Sequence, residues 1–131
     1  MRDLEAVAAD AVDAAVMVHR AIGPGLLESV YELLLAAELE RRGHNVLRQQ
    51  PVTFSFNGMT FENAFRADLL VDAGLVIEVK SIERLSGVHA KQLLTYLRLM
   101  QQPLGLLMNF GGETMEEGLK RVINSRAAFA P

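Results

Sequence analysis

The sequence contains no cysteine among its 131 residues. This absence excludes disulfide bonds, thiolate metal sites and cysteine nucleophiles. It fits a reducing compartment, so we expect a cytoplasmic protein. No apolar run approaches the roughly 20 residues that a membrane span needs. The first helical segment carries acids that exclude the apolar core of a signal peptide, namely Asp3, Glu5, Asp10 and Asp13.

Basic residues are also few, with 13 Lys and Arg against 16 Asp and Glu and a net charge of −3. This balance argues against a broad basic surface for coating nucleic acid, although a local basic patch stays open. With 50% apolar and 22% charged residues, the composition is that of a folded protein and not of a disordered chain. The length predicts a single domain that spans residues 1–131.

Apolar spacing predicts eight elements in the order ααβββαβα. Two helices come first, at about 4–22 and 26–42, and Gly23-Pro24-Gly25 separates them. On the second helix, four residues are predicted to face the core: Val30, Leu33, Leu34 and Ala37.

The period then changes to that of strands. Asn57-Gly58 is a strong hairpin signal between two extended segments, the first of which Pro51 is expected to interrupt. The capping box Thr114-x-x-Glu117 predicts a final helix. After the two helices, the first predicted strand has two parts, 46–50 and 52–56. The remaining predicted strands are at 59–71, 75–80 and 104–110, and the predicted helices are at 88–100 and 115–123.

The turn Asp72-Ala73-Gly74 is predicted to be a three-residue hairpin loop with Gly74 in the left-handed position. If Val71 and Leu75 flank this loop, Asp68 lies opposite Glu78. The same register places Arg66 opposite Lys80 and all four charged side chains on one face of the sheet. The opposite face then receives Leu69, Val71, Leu75, Ile77 and Val79.

Two carboxylates on facing positions have Cβ atoms about 5 Å apart, and they repel unless a cation lies between them. A hard divalent cation such as Mg²⁺ binds carboxylate oxygens and keeps water ligands. The alternative is a cross-strand quartet of charges on a solvated face. The apolar run around Glu78 favours the metal site, because buried charges need a partner.

Three segments of the chain resemble a known superfamily. Asp68 followed by Glu78-Val79-Lys80 resembles the Asp…Glu-x-Lys motif of the PD-(D/E)xK nuclease superfamily. The segment Gly25-Leu26-Leu27-Glu28-Ser29-Val30-Tyr31 is similar to the motif of the GxxExxY proteins, a small family within it. Gln92-Leu93-Leu94-Thr95-Tyr96 resembles the Gln-x-x-x-Tyr element of RecB-type members. The resemblance covers about residues 18–124.

The resemblance implies an α/β restriction-endonuclease-like core, with a mixed central sheet flanked by helices. It also implies Mg²⁺ or Mn²⁺ dependence and phosphodiester hydrolysis. By position, Asp68 and Glu78 are expected to be metal ligands, joined by the backbone carbonyl of Val79. Lys80 is expected to orient or deprotonate the attacking water. Glu28 is expected to be a further ligand, or alternatively an acid favoured by the helix dipole.

Other residues are expected around this centre. Gln92 and Tyr96 lie one helical turn apart and are expected to serve catalysis and substrate binding, respectively. Arg66 is a candidate phosphate contact. Tyr31 either stacks on a base or packs in the core, and for His89 a solvated surface position is favoured.

Together these features predict a metal-dependent nuclease that acts on DNA, as an exonuclease. The residues themselves leave open DNA against RNA and exonuclease against endonuclease. The alternatives are a silent nuclease-fold scaffold and a hydrolase of small phosphoesters. Because one copy has little basic surface, we expect a homo-oligomer whose basic contributors are Arg41, Arg42, Arg48, Arg84, Lys91 and Arg98.

Overall fold

A computed structural model describes residues 3–126. The elements are α1 (Leu4–Ile22), α2 (Glu28–Arg41), β1 (Val46–Phe56), β2 (Met59–Val71), β3 (Leu75–Lys80), α3 (Gly87–Met100), β4 (Leu104–Asn109), α4 (Met115–Gly118) and β5 (Leu119–Ile123). The strands form one sheet in the order β1-β2-β3-β4-β5, in which β3 and β4 run parallel and the other neighbours antiparallel. This confirms the predicted mixed sheet flanked by helices. None of the helices within residues 3–126 is both long and apolar enough to cross a bilayer.

The core lies on both faces of the sheet. Helices α1 and α2 pack against one face, which includes the predicted set Leu69, Val71, Leu75, Ile77 and Val79. Helix α3 packs against the other face through Leu93 and Leu97. Strand β3 is therefore buried on both sides over 75–79, as its continuous apolar run predicts.

The two N-terminal helices lie close to their predicted bounds. The Asp3 side chain accepts a hydrogen bond from the Glu5 N–H at 3.2 Å and caps α1. The predicted inward face of α2 is mostly wrong, because only Leu34 of its four residues packs against the core, and it is partly buried. The buried residues of α2 are Tyr31, Glu32, Leu35, Ala36, Glu38 and Leu39, whereas Val30 and Leu33 are exposed. Helix α2 has apolar residues on nearly every side, so periodicity alone does not select the buried face.

The C-terminal prediction is also wrong in part. The Thr114 side chain caps α4 by accepting from the Glu117 N–H, but the helix ends at Gly118 and the chain continues as β5. A Cβ atom at Gly118 would lie 2.2 Å from the Asn109 carbonyl oxygen, so the two backbones approach closely there. The β-branched pair Val122 and Ile123 then suits a strand that pairs with β4.

The hairpins differ from the prediction at Pro51 and at Gly74, but their turns lie where predicted. Strand β1 runs through Pro51 without interruption, because β1 is an edge strand and one side of it needs no hydrogen-bond donor. The predicted turn at Asn57-Gly58 is confirmed, with φ of 49° and 79°. At the next turn the left-handed residues are Asp72 and Ala73 and not Gly74, yet the predicted pairing of Val71 with Leu75 is confirmed.

Candidate active site

The candidate site lies where β2 and β3 stop pairing. Their ladder consists of three pairs and ends at Leu69 with Ile77. At the next positions, the Asp68 N–H donates to Glu78 Oε2 at 2.8 Å and the Val79 N–H donates to Asp68 Oδ2 at 2.8 Å. Two carboxylates thus accept the hydrogen bonds that carbonyl groups accept in a regular ladder, and this holds both acids at the junction of the two strands.

Strand β2 is irregular at this point. Ala67 packs in the core under α3, whereas Leu69 packs in the core under α1 and α2. Strict alternation would place both side chains on one face. The register nevertheless continues from Arg48 with Leu69 to Gln50 with Ala67 in the neighbouring strand. The chain therefore changes face at Asp68, a departure that alternation in the sequence does not indicate.

The site concentrates negative charge in a buried place. Burial, and after it the charge of Asp68, raise the pKa of Glu78, which is about 8 in the folded protein. The hydrogen bond from the Asp68 N–H and the charge of Lys80 act in the opposite direction, whereas Glu32 again raises it. Glu78 is 6% exposed. Such a group gains from a cation beside it.

The charge quartet, which was the alternative to the metal site, is not formed. Within residues 3–126, no ion pair joins Arg66 or Lys80 to Asp68 or Glu78 at 4.0 Å or less. Arg66 is exposed and pairs with Pro51 in β1, and the described ladder does not pair it with Lys80. The predicted facing of Arg66 and Lys80 is wrong because β2 and β3 separate before reaching them.

Helix α2 contributes one acid, Glu32, to the surroundings of Asp68 and Glu78. Its Oε1 accepts from Gln49 Nε2 at 2.6 Å, and the same nitrogen lies 3.2 Å from Asp68 Oδ1. Arg48 donates to Glu32 Oε2 at 2.8 Å. Glu28 is the exposed first residue of α2, and no described contact joins it to the site. The described contacts thus connect Glu32, one turn after Glu28, to Asp68 through Gln49.

Sequence analysis missed Glu32 for a definable reason. The predicted inward face of α2 did not include Glu32, so no role was assigned to this acid. On the observed face, Glu32 shares its side of the helix with Leu35, Ala36 and Leu39, and it is 4% exposed. An acid on the buried side of a helix indicates a functional or paired group. That signal becomes usable only once the buried face is known.

Helix α3 borders the acids through Tyr96. Its ring stacks on Phe65 with centroids 3.9 Å apart. Burial raises the pKa of Tyr96, as do the charges of Glu78 and Asp68. Gln92 is exposed one turn earlier. His89 Nδ1 accepts from the Ser86 N–H at 3.0 Å, so this histidine caps α3.

Tyr31 has a packing role. It is fully buried and stacks on Phe110 with centroids 4.7 Å apart. Its hydroxyl donates to the Gly23 carbonyl and accepts from the Leu26 N–H. Of the two alternatives for Tyr31, packing in the core is therefore confirmed, and contact with a nucleic acid base is incompatible with a fully buried ring.

Half of the predicted basic surface is occupied by internal ion pairs. Arg41 pairs with Glu38, Arg42 with Glu38, Asp10 and Asp13, and Arg48 with Glu32. In the described part of the chain, Arg84, Lys91 and Arg98 are exposed and form no ion pair.

The donor chemistry at the strand junction fits a hard divalent cation. Glu78 Oε1 makes no hydrogen bond among the described residues, and Asp68 Oδ1 has only the neutral Gln49 amide. No group of three or more His, Cys, Asp or Glu within residues 3–126 is arranged to hold a metal ion. A cation here would therefore take Asp68 and Glu78 and complete its shell with backbone or water oxygens.

Comparison with known proteins gives one match. The model of a family described as the PD-(D/E)XK nuclease superfamily matches residues 5–122. No curated protein and no solved structure matches the chain. The matched range contains both acids, Lys80 and all five strands except the last residue of β5. This chain belongs to the PD-(D/E)XK nuclease superfamily.

Proposed function

We propose that this protein is a divalent-metal-dependent nuclease that hydrolyses phosphodiester bonds in DNA, with exonuclease action, and that it is a GxxExxY protein. The observation that supports this most strongly is the reciprocal bonding of Asp68 and Glu78 at the end of β2 and β3. Superfamily membership supports a nucleic acid substrate and a divalent metal, since its members are generally nucleases that use such ions.

The residues have distinct roles in this proposal. Asp68 and Glu78 hold Mg²⁺ or Mn²⁺, with the Val79 carbonyl as a further oxygen donor. When bound, the ion polarises the phosphoryl group and makes water a stronger nucleophile. Glu32, and not Glu28, is the acid that α2 contributes. It does not bind the metal itself but supports the ligand Asp68 through the Gln49 amide.

Lys80 and the outer residues act on substrate. Lys80 follows Glu78 by two residues, and its ammonium group orients the attacking water and offsets the negative charge that builds on phosphorus. Arg66 binds a phosphate of the substrate. On α3, Gln92 takes part in catalysis and Tyr96 contacts a nucleotide of the substrate. An intact Asp68, Glu78 and Lys80 set supports an enzyme over a silent scaffold.

The proposed working unit is a cytoplasmic homo-oligomer. With Arg41, Arg42 and Arg48 engaged in ion pairs, one copy offers few basic side chains to a polyanion. Several copies around one substrate would combine the remaining basic residues, Arg84, Lys91 and Arg98, with Arg66.

The test is cleavage of end-labelled single- and double-stranded DNA and RNA with Mg²⁺, Mn²⁺ or EDTA. We expect cleavage of DNA that EDTA abolishes and that falls by roughly 10²- to 10⁴-fold in Lys80→Ala. Lys120→Ala is the matched control, because Lys120 is exposed on β5. Cleavage that persists in EDTA, or that Lys80→Ala leaves unchanged, would contradict the proposal.

A further inference from the structure

Gln49 has an unusual backbone for a residue inside a strand. Its φ is 50°, in the left-handed region, although β1 continues on both sides of it. It lies opposite Asp68, between the pairs Arg48 with Leu69 and Gln50 with Ala67. A residue with a side chain in this region is strained, and such strain persists only where surrounding contacts hold it.

The side chain of Gln49 supplies those contacts. Its amide nitrogen lies 2.6 Å from Glu32 Oε1 and 3.2 Å from Asp68 Oδ1. The nitrogen and not the oxygen must occupy this place, because a carbonyl oxygen between two carboxylates has no proton to share. A neutral group thus joins two acids from different elements, α2 and β2.

The Gln49 amide, on β1, holds the carboxylates of Asp68 and Glu32 in place. Asp68 Oδ2 accepts from the Val79 N–H, and Gln49 bonds Oδ1, so both oxygens of the carboxylate are held. Glu32 is in turn held by Arg48 on its other oxygen. The orientation of the Asp68 carboxylate is therefore set from β3 on one side and through Gln49 and Glu32 on the other.

We propose that Gln49 is a positioning residue, whose amide holds the Asp68 carboxylate, braced by Glu32, in the orientation in which the site binds a divalent cation. This inference rests on the proposed function, because it assigns the role of a residue that supports the same metal site.

The test compares two glutamines that share a backbone conformation. Gln101 has a φ of 57° at the C-cap of α3, is exposed, and makes no side-chain hydrogen bond within residues 3–126. Gln49→Gly and Gln101→Gly therefore both relieve a left-handed glutamine, but only the first removes the bridge. Mn²⁺ binding is measured by calorimetry on each full chain without nucleic acid, after melts show cooperative unfolding.

We expect Gln49→Gly to weaken Mn²⁺ binding at least tenfold and Gln101→Gly to leave it unchanged. Gln49→Met, which has similar length and no donor, should weaken binding to the same extent. In cleavage assays at fixed Mn²⁺ below saturation, both Gln49 variants should lower kcat and leave the KM for nucleic acid unchanged.

Two results would overturn this inference, and they are distinguishable. Unchanged Mn²⁺ affinity in both Gln49 variants, with a parent that binds Mn²⁺ and cleaves DNA, removes the role of Gln49 and leaves the nuclease intact. A parent that neither binds Mn²⁺ nor cleaves nucleic acid removes the proposed function and this inference with it.

Discussion

Two hairpins share β2, and they differ in how their strands pair. In the outer hairpin, β1 and β2 shift register between Val52 and Phe54 but stay paired up to the turn, where Phe56 lies opposite Met59. In the inner hairpin, β2 and β3 make three pairs and then separate at the two acids. Where pairing is regular, alternation in the sequence describes the structure. The candidate chemistry lies where the pairing stops.

The two hairpins also differ in charge. Between Gln49 and Phe65 the chain has one charged residue, Glu62. Near the turn of this segment Phe54 stacks on Phe61, with ring centroids 5.0 Å apart. Residues 66–80 have five charged residues instead: Arg66, Asp68, Asp72, Glu78 and Lys80. Substitutions in the inner hairpin should therefore change activity and its pH response, whereas substitutions at the turn end of the outer hairpin, residues 54–61, should change stability alone.

The largest effect is expected from Glu78→Gln on cleavage. Loss of one ligand carboxylate should lower the rate of DNA hydrolysis by roughly 10²- to 10⁴-fold, comparable to the loss of other catalytic groups. The control in the outer hairpin is Phe56→Ser, whose side chain is 61% exposed and far along β1 from the acids. A single-turnover assay measures both, and equal losses in the two variants would erase the distinction between the hairpins.

The second effect is the pH dependence of stability in EDTA. Because the pKa of Glu78 rises from 4.5 to about 8 on folding, the folded protein holds a proton that the unfolded chain releases within this range. The parent should therefore lose stability as the pH rises from about 4.5 to about 8. Glu78→Gln lacks this loss, so it should exceed the parent by on the order of 4 kcal/mol at pH 8.

Urea unfolding of both proteins at pH 5 and pH 8 measures this difference. The advantage of the variant should be small at pH 5 and largest at pH 8. An advantage that does not change with pH would show that Glu78 is ionised throughout and that its burial is weaker than described.

A smaller effect is expected at the outer turn. Gly58 has a φ of 79°, which an alanine adopts only with strain, so Gly58→Ala should lose about 1 kcal/mol of unfolding free energy. Nothing lies within 4 Å of a Cβ at this position, so a steric clash adds nothing. Thermal melts measure the loss, and the Mn²⁺-induced shift in Tm should remain that of the parent. A changed shift would connect the outer turn to the metal site.

The smallest effect is expected for Ser55→Ala. The Ser55 hydroxyl lies 3.1 Å from that of Thr60 on the exposed face of the outer hairpin. Cross-strand pairs of this kind contribute roughly 0.2–1 kcal/mol, and exposure places this one near the lower end. Urea unfolding should show a loss close to the detection limit, and a loss as large as that of Gly58→Ala would contradict this ranking.

Much of the sheet follows from local rules. The Asn57-Gly58 turn, the pairing of Val71 with Leu75 and the buried run 75–79 depend on near neighbours, so the sequence predicts them. The helix predicted at 115–123 failed because its short apolar spacing suits a strand as well, and the close contact of Gly118 with Asn109 is a tertiary feature.

The site was predictable only in part, because some of its contacts join elements that are distant in the sequence. Asp68 and Glu78 come from one hairpin, and their register follows from its turn. Glu32 and Gln49 reach the acids from α2 and β1, and neither contact has a local signal. Helix α2 is apolar on nearly every side, and a left-handed glutamine inside a strand follows from no pattern of neighbouring residues.

The central claim is that Asp68 and Glu78 form a like-charge pair built to hold a divalent cation, and thermal melts of the parent and Asp68→Asn test it most directly. Both proteins are melted in EDTA and in excess Mn²⁺. In EDTA at about pH 9, where Glu78 is ionised because its pKa is about 8, the variant should be as stable as the parent or more stable, since one of two repelling charges is gone. The parent should gain about 2.7 kcal/mol from Mn²⁺ at a hundredfold excess over Kd, and the variant should lose most of that gain. A variant clearly less stable than the parent in EDTA, together with a parent whose Tm ignores Mn²⁺, would contradict the claim.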